Sequence, residues 1–222
     1  PKQLQSRWTK DLIAKARKAL TATPDLEALK SIFGEITIEG QSYIDCRGLV
    51  VATEAILDLQ AACIDFSHSQ FEYPLAGVRL SNCRFVGVKY AGKPFSGELI
   101  GCDFTGANLS RTSMAAKFRM ERCTFARSNC AGSEWTLANF HECLFMETNI
   151  KGAEWTLCKF TKCTFTNMNI TDAYLAGCSF IDPTQNMKWF DADKKIELTH
   201  VVREEAPWVD WHGAHTSDMR IK

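Results

Sequence analysis

From Phe125 to Phe180 every fifth position reads Phe, Cys, Trp, Phe, Phe, Ile, Trp, Phe, Phe, Ile, Leu, Phe, large and apolar at eleven of the twelve. Two residues before these centres stand Cys123, Ser128, Ser133, Ala138, Cys143, Thr148, Ala153, Cys158, Cys163, Met168, Ala173 and Cys178, all small except Met168. A period of five fits neither the 3.6 of a helix nor the 2.0 of a strand, so neither element could keep these residues on one face. The chain must turn every five residues. A longer period of twenty lies over the short one. Moving 133–152 onto 153–172 matches Glu134 with Glu154, Trp135 with Trp155, Phe140 with Phe160, Cys143 with Cys163, Phe145 with Phe165 and Asn149 with Asn169. Four five-residue sides closing one coil predict an all-β solenoid: a quadrilateral parallel β-helix with the centre and the small residue two before it facing inward. The three outward positions of each side are rich in Thr, Asn, Lys, Glu and Gly, as corners in water require.

Upstream, Cys46, Val51, Ile56, Ala61, Phe66 and Phe71 keep the register, although Leu49, Glu54 and Leu59 break the small-residue rule. The register slips near Tyr73 to Leu75 and Pro94 to Leu99, each short by one, and near Ala115 to Met120, long by one. Each slip predicts a distorted corner or bulge. The pattern thus divides the chain into residues 1–41, residues 42–182 as about seven coils, and residues 183–222. A solenoid end exposes apolar rings and unpaired edges, so caps are expected at both ends. Ser6 is expected to N-cap a helix reaching Leu20 with Trp8, Leu12, Ile13 and Ala16 on one face. Thr23-Pro24 opens a second helix that Gly34 stops. Pro183 is expected to end the repeats. Trp189, Phe190, the 196–202 run, Trp208, Val209 and Trp211 beyond it argue for a tail that packs over the last coil or a partner.

Among 222 residues, 26 basic side chains balance 26 acidic ones, which removes any global electrostatic reason for nucleic acid or an anionic membrane as partner. The charged stretch from Lys2 to Arg17 does not read as a secretory leader. Ten cysteines include Cys83, Cys102, Cys123, Cys143 and Cys163 at intervals of 19, 21, 20 and 20, with no paired CxxC of a zinc site. Their rhythm is that of the coil, so they are expected to be small buried hydrophobes, free and unreactive, in a reducing cytoplasmic compartment. The expected core ladder is Cys123, Cys143 and Cys163 beside Phe125, Phe145 and Phe165, with Trp135 and Trp155 on another side. His212 and His215 with Asp210 have metal-like spacing but no further ligand pair, so no metal and no cofactor is expected. Glu134 and Glu154, one coil apart, read as an outer ladder rather than a catalytic pair. His68 and His141 read as solvated. With no phosphate loop or nucleophile elbow, the chain is not read as an enzyme.

Cys102-Asp103-Phe104-Thr105-Gly106-Ala107-Asn108-Leu109 resembles two adjacent copies of the pentapeptide repeat, and the resemblance is strongest from Gly101 to Asp182. That family implies a right-handed quadrilateral β-helix and a bacterial, non-catalytic protein-binding role. Some of its members protect DNA gyrase by imitating the shape and acidity of duplex DNA. Between 101 and 182, however, eight acids meet eight bases, so the dense negative charge needed for mimicry is missing. A third reading is an adaptor, chaperone or immunity partner of a secreted bacterial effector. A protein partner, held by a coil side or by Trp208 and Trp211, is the expectation, with a homodimer through an end cap left open.

Overall fold

In a computed structural model of the chain, the five-residue register becomes a stack of parallel four-sided coils. The structure describes residues 2–20, 24, 26–52, 54–114 and 118–181, and beyond these the strand backbones 189–190, 196–199, 202–204 and 214–215. The first side is centred on Cys46, Phe66, Phe85, Phe104, Phe125, Phe145 and Phe165. The second holds Val51, Phe71, Tyr90, Leu109, Cys130, Ile150 and Ile170. The third holds Ile56, Leu75, Phe95, Met114, Trp135, Trp155 and Leu175. The fourth holds Ala61, Leu80, Leu99, Met120, Phe140, Phe160 and Phe180. Every one of these centres is buried except half-buried Ala61. Seven centres per side make seven coils, with parallel strands about 4.8 Å apart. Leu49 and Leu59 also point inward, whereas Glu54 turns out to solvent.

The three slips appear in the strand pairing. Val51 pairs with Phe71, twenty residues on, but Ile56 pairs with Leu75, only nineteen on. Phe95 pairs with Met114 at nineteen, and then Glu98 with Arg119 at twenty-one. Residues 115–117, where the extra position enters, lie outside the described residues. The second slip is a bulge at Gly97, whose φ is +133° and whose added Cβ would sit 2.0 Å from the Val78 carbonyl oxygen. No other residue fits there. Buried Tyr90 serves the groups these slips displace: its hydroxyl accepts from the Leu75 N–H at 2.7 Å and donates to the Pro94 carbonyl.

The N-terminal end is closed by α1 (Lys2–Ser6), α2 (Lys10–Ala19) and α3 (Leu26–Phe33). The cap of α2 is Thr9, not Ser6: Thr9 Oγ1 accepts from the Leu12 N–H at 3.2 Å, while the Ser6 hydroxyl donates to the Gln3 carbonyl. The helix breaks between them because Arg7 and Trp8 reach down to the first coil. Arg7 makes two bonds to the Asp45 carboxylate, at 2.7 and 2.8 Å, and Arg47 makes two more, at 2.8 and 2.9 Å. The Trp8 indole donates to the Arg47 carbonyl at 2.8 Å. Burial by itself would raise the Asp45 carboxyl, but hydrogen bonds from Arg47 and Arg7 outweigh it and hold the group well below the usual carboxylate range.

Gly34, at φ +74°, ends α3, and the chain enters a hairpin that the sequence reading did not contain. In it β1 (Glu35–Ile38) runs antiparallel to β2 (Gln41–Asp45). Its two-residue turn, Glu39-Gly40, has both φ angles positive, as a primed turn needs. β2 then pairs in parallel with Ile64 and Asp65, so the hairpin hands the cap to the first coil. At the other end, Pro183, where the repeats are expected to end, lies outside the described residues, and strand backbones are described beyond it. Backbone 189–190 pairs in parallel with Met168 and Asn169, 196–199 with the strand at Tyr174, and 202–204 with Ser179 to Ile181. These pairings fall at spacings of 21 and 23, outside the twenty-residue period.

Removing the Tyr90 hydroxyl as Tyr90→Phe leaves the Leu75 N–H without its acceptor in the interior. We expect a loss of about 1–3 kcal/mol, read as a lower urea midpoint at unchanged slope. The depressed Asp45 carboxyl means that its contribution is complete above its unfolded pKa of about 4 and disappears as pH falls through the lower folded value. Asp45→Asn should therefore lower the midpoint at pH 7 and flatten the acid limb of the stability profile. Parallel acid limbs for the two proteins would remove this lock from the account.

Candidate interaction surface

The interior leaves little chemistry available. Cys83, Cys102, Cys123, Cys143 and Cys163 form a buried column on the first side. Beside them the rings of Phe66, Phe85, Phe104, Phe125, Phe145 and Phe165 stack face to face, with centroids 4.8–5.3 Å apart. The thiols act as weak donors to carbonyls of the preceding coil, Cys123 to Leu99 and Cys143 to Met120, each at 3.6 Å. Burial pushes the Cys123 thiol upward and the Cys130 thiol up to about 12, so neither is a ready nucleophile. On the third side Trp135 and Trp155 stack at 4.3 Å. Their indole N–H groups donate to Thr112 Oγ1 at 3.4 Å and Ser133 Oγ at 3.0 Å, which explains why small hydroxyl residues precede the centres here.

Any function must be displayed outward. Glu134 and Glu154 pair along the third side, followed by Tyr174, and both carboxylates are exposed to solvent. His68 is half-buried at a left-handed corner, and His141 Nε2 lies 3.3 Å from Glu142. Trp208, Trp211, Asp210 and His212 lie outside the described residues. His215 is described only as strand backbone paired with Glu197. Among the described residues, no group of three His, Cys, Asp or Glu could hold a metal, and no helix is long and apolar enough to cross a membrane.

Two outer features escaped the sequence reading. On the second side Asn108, Asn129, Asn149 and Asn169 form a ladder, each Oδ1 accepting the N–H two residues on at 3.1–3.2 Å. Asn149 Nδ2 also donates to Asn129 Oδ1 at 3.0 Å. The signal was an identical amide at offsets of 21, 20 and 20. On the fourth side the charges pair locally: Arg119 lies 3.6 Å from Glu98 and 3.1 Å from Glu121, and Arg122 also meets Glu121. Exposed pairs of this kind contribute little stability, but they cancel the field above that side. At the corner between the third and fourth sides, Leu137 and Leu157 are exposed in the left-handed conformation, at φ +55° and +54°.

Of the ten thiols, nine are buried and Cys63 is partly exposed at a corner. Titration of the native protein with a thiol reagent should label one cysteine rapidly and the other nine only after denaturation. Fast native labelling of several would show that the column is open.

No protein-family model and no curated protein matches the chain. Among solved structures, it is similar to a trypsin-treated form of QnrB1, a plasmid-mediated fluoroquinolone resistance protein. That match has 16% identity over 74% of this chain and 91% of the other, with a TM-score of 0.39. It is also similar to the pentapeptide repeat protein Rfr23 of the cyanobacterium Cyanothece, at 12% identity, 60% and 82% coverage and a TM-score of 0.30. HetL, a pentapeptide repeat protein involved in heterocyst differentiation regulation in Nostoc, matches at 12% identity, 72% and 84% coverage and a TM-score of 0.25. At this distance the likenesses establish nothing about what the chain binds.

Proposed function

We propose that this chain, a pentapeptide-repeat β-helix by its five-residue sides and four-sided coils, is a non-catalytic module that binds a protein partner. The observation that carries the proposal is the division of labour within each side. Centres and small residues are used up in the core, while outward side chains stand on a lattice fixed by the backbone bonds between coils. A partner meeting such a surface orders few side chains of this chain, so little entropy is lost on this side of the interface. Trp208 and Trp211 are proposed as additional aromatic anchors, since such residues dominate binding energy where they are buried at an interface. The local charge pairing on the fourth side supports a protein partner over DNA mimicry, which depends on an uncompensated acidic field.

The test is a cross-linked affinity capture with the full chain, run beside a gyrase supercoiling assay. We expect a specific protein to be captured, its capture to fall at least about tenfold with Trp208→Ala and Trp211→Ala combined, and supercoiling to proceed unchanged at micromolar protein. Inhibition of supercoiling at low micromolar concentration would replace this reading with mimicry.

A further inference from the structure

Where the second and third sides meet, at the corner shortened between Phe71 and Leu75, a groove of about 580 Å³ runs across this coil and the two that follow. This is within the range of sites that hold small ligands or peptide side chains. Gln70, Lys89 and Asn108 follow one another down its length as parallel-bridged positions, and Glu72, Tyr73 and Lys93 complete its walls. Underneath, Tyr90 ties Leu75 to Pro94, so the groove has a fixed floor.

The charges here differ from those on the fourth side. Glu72 is engaged by the Gln70 amide at 2.9 Å. Among the described residues, Lys89 and Lys93 have no carboxylate within 4 Å, whereas the arginines of the fourth side are paired. Two ammonium groups, two side-chain amides and an exposed tyrosine therefore line one concavity. We propose that this groove binds an acidic peptide segment of a partner protein, with its carboxylates against Lys89 and Lys93 and its backbone amides against Gln70 and Asn108. A run of phosphates fits less well. Glu72 stands in the wall, and below Lys89 the column continues as Asn108, Asn129, Asn149 and Asn169, which offers no further cation for a nucleic-acid backbone. The inference rests on the partner-binding reading above, and its test is separate from it.

The full chain would be titrated with fluorescein-labelled hexaglutamate at about 50 mM salt, where exposed charges are weakly screened, and followed by anisotropy and by amide chemical shifts. The expected result is saturable binding with shifts concentrated at Gln70, Lys89, Lys93 and Asn108. Lys89→Glu with Lys93→Glu should weaken it at least about tenfold at unchanged melting temperature, and Lys151→Glu less than about twofold. Absence of binding, shifts elsewhere, or equal affinity in the folded double variant would overturn the proposal. So would displacement of the peptide by hexathymidylate at lower concentration than by unlabelled hexaglutamate, which would point to nucleic acid. If the double variant does not fold, the shift map of the unaltered protein decides. A partner captured equally by the folded double variant would overturn the groove and leave partner binding standing. Groove binding of the peptide without any captured partner would support the groove and count against the broader reading.

Discussion

A residue in the left-handed conformation, present at every described corner except the shortened one after Phe71, is the constraint on which the coil depends. Arg122, Glu142 and Lys162 occupy one such corner column at φ near +50°, and Arg127, Glu147 and Asn167 the next. For an L-residue other than glycine this costs roughly 1–2 kcal/mol. The offset comes from the neighbouring coil: the Arg122 N–H bonds to the His141 carbonyl and the Glu142 N–H to the Thr161 carbonyl, each at 2.9 Å. A single coil would carry the strain without this return. Stability therefore belongs to the stack, and the ends become the weak points. The Arg7, Asp45 and Arg47 lock answers this at one end by fastening helices and hairpin to the first coil. At the other end, parallel strands continue past the repeats.

The stack also dictates what may stand inside. Equivalent side chains lie one strand spacing apart, so flat rings can stack on themselves, as the phenylalanines and the Trp135 and Trp155 pair do. A thiol or hydroxyl fits the narrower slot beside them and finds a carbonyl of the coil before. The ordered cysteine column is thus a packing solution. At the corner shortened after Phe71, the interior stays filled because the Tyr90 hydroxyl meets the displaced Leu75 N–H, and the irregularity is passed outward to the surface. The groove at that corner is the outward consequence of an inward accommodation.

This transfer bears on function. A regular coil presents straight rows of side chains, and its charges readily pair along and between the rows, as they do around Arg119. Recognition needs departures from that regularity: a row that does not pair, a concavity, or apolar side chains left in water such as Leu137 and Leu157. The chain's zero net charge conceals an uneven distribution: among the described residues, the arginines of the fourth side pair with acids, whereas Lys89 and Lys93 have none within 4 Å.

The sequence by itself determined the four-sided coil, the inward columns and the places where the register fails, because a five-residue period permits only one arrangement that buries all its large residues. It also marked residues 1–41 as a helical cap. It did not determine that Ser6 would lie outside the α2 cap, since only the position of Asp45 across the fold draws Arg7 and Trp8 out of helical register. Nor did it reveal the hairpin from Glu35 to Asp45 as the bridge between helices and coil, or the parallel strands beyond Pro183, whose spacings of 21 and 23 leave no period to read. The Asn108 to Asn169 ladder and the Lys89 and Lys93 groove belong to the same category. Their members are ordinary outward polar residues in the chain, and only stacking one coil on another sets amide against amide and, among the described residues, leaves two lysines without an acid within 4 Å.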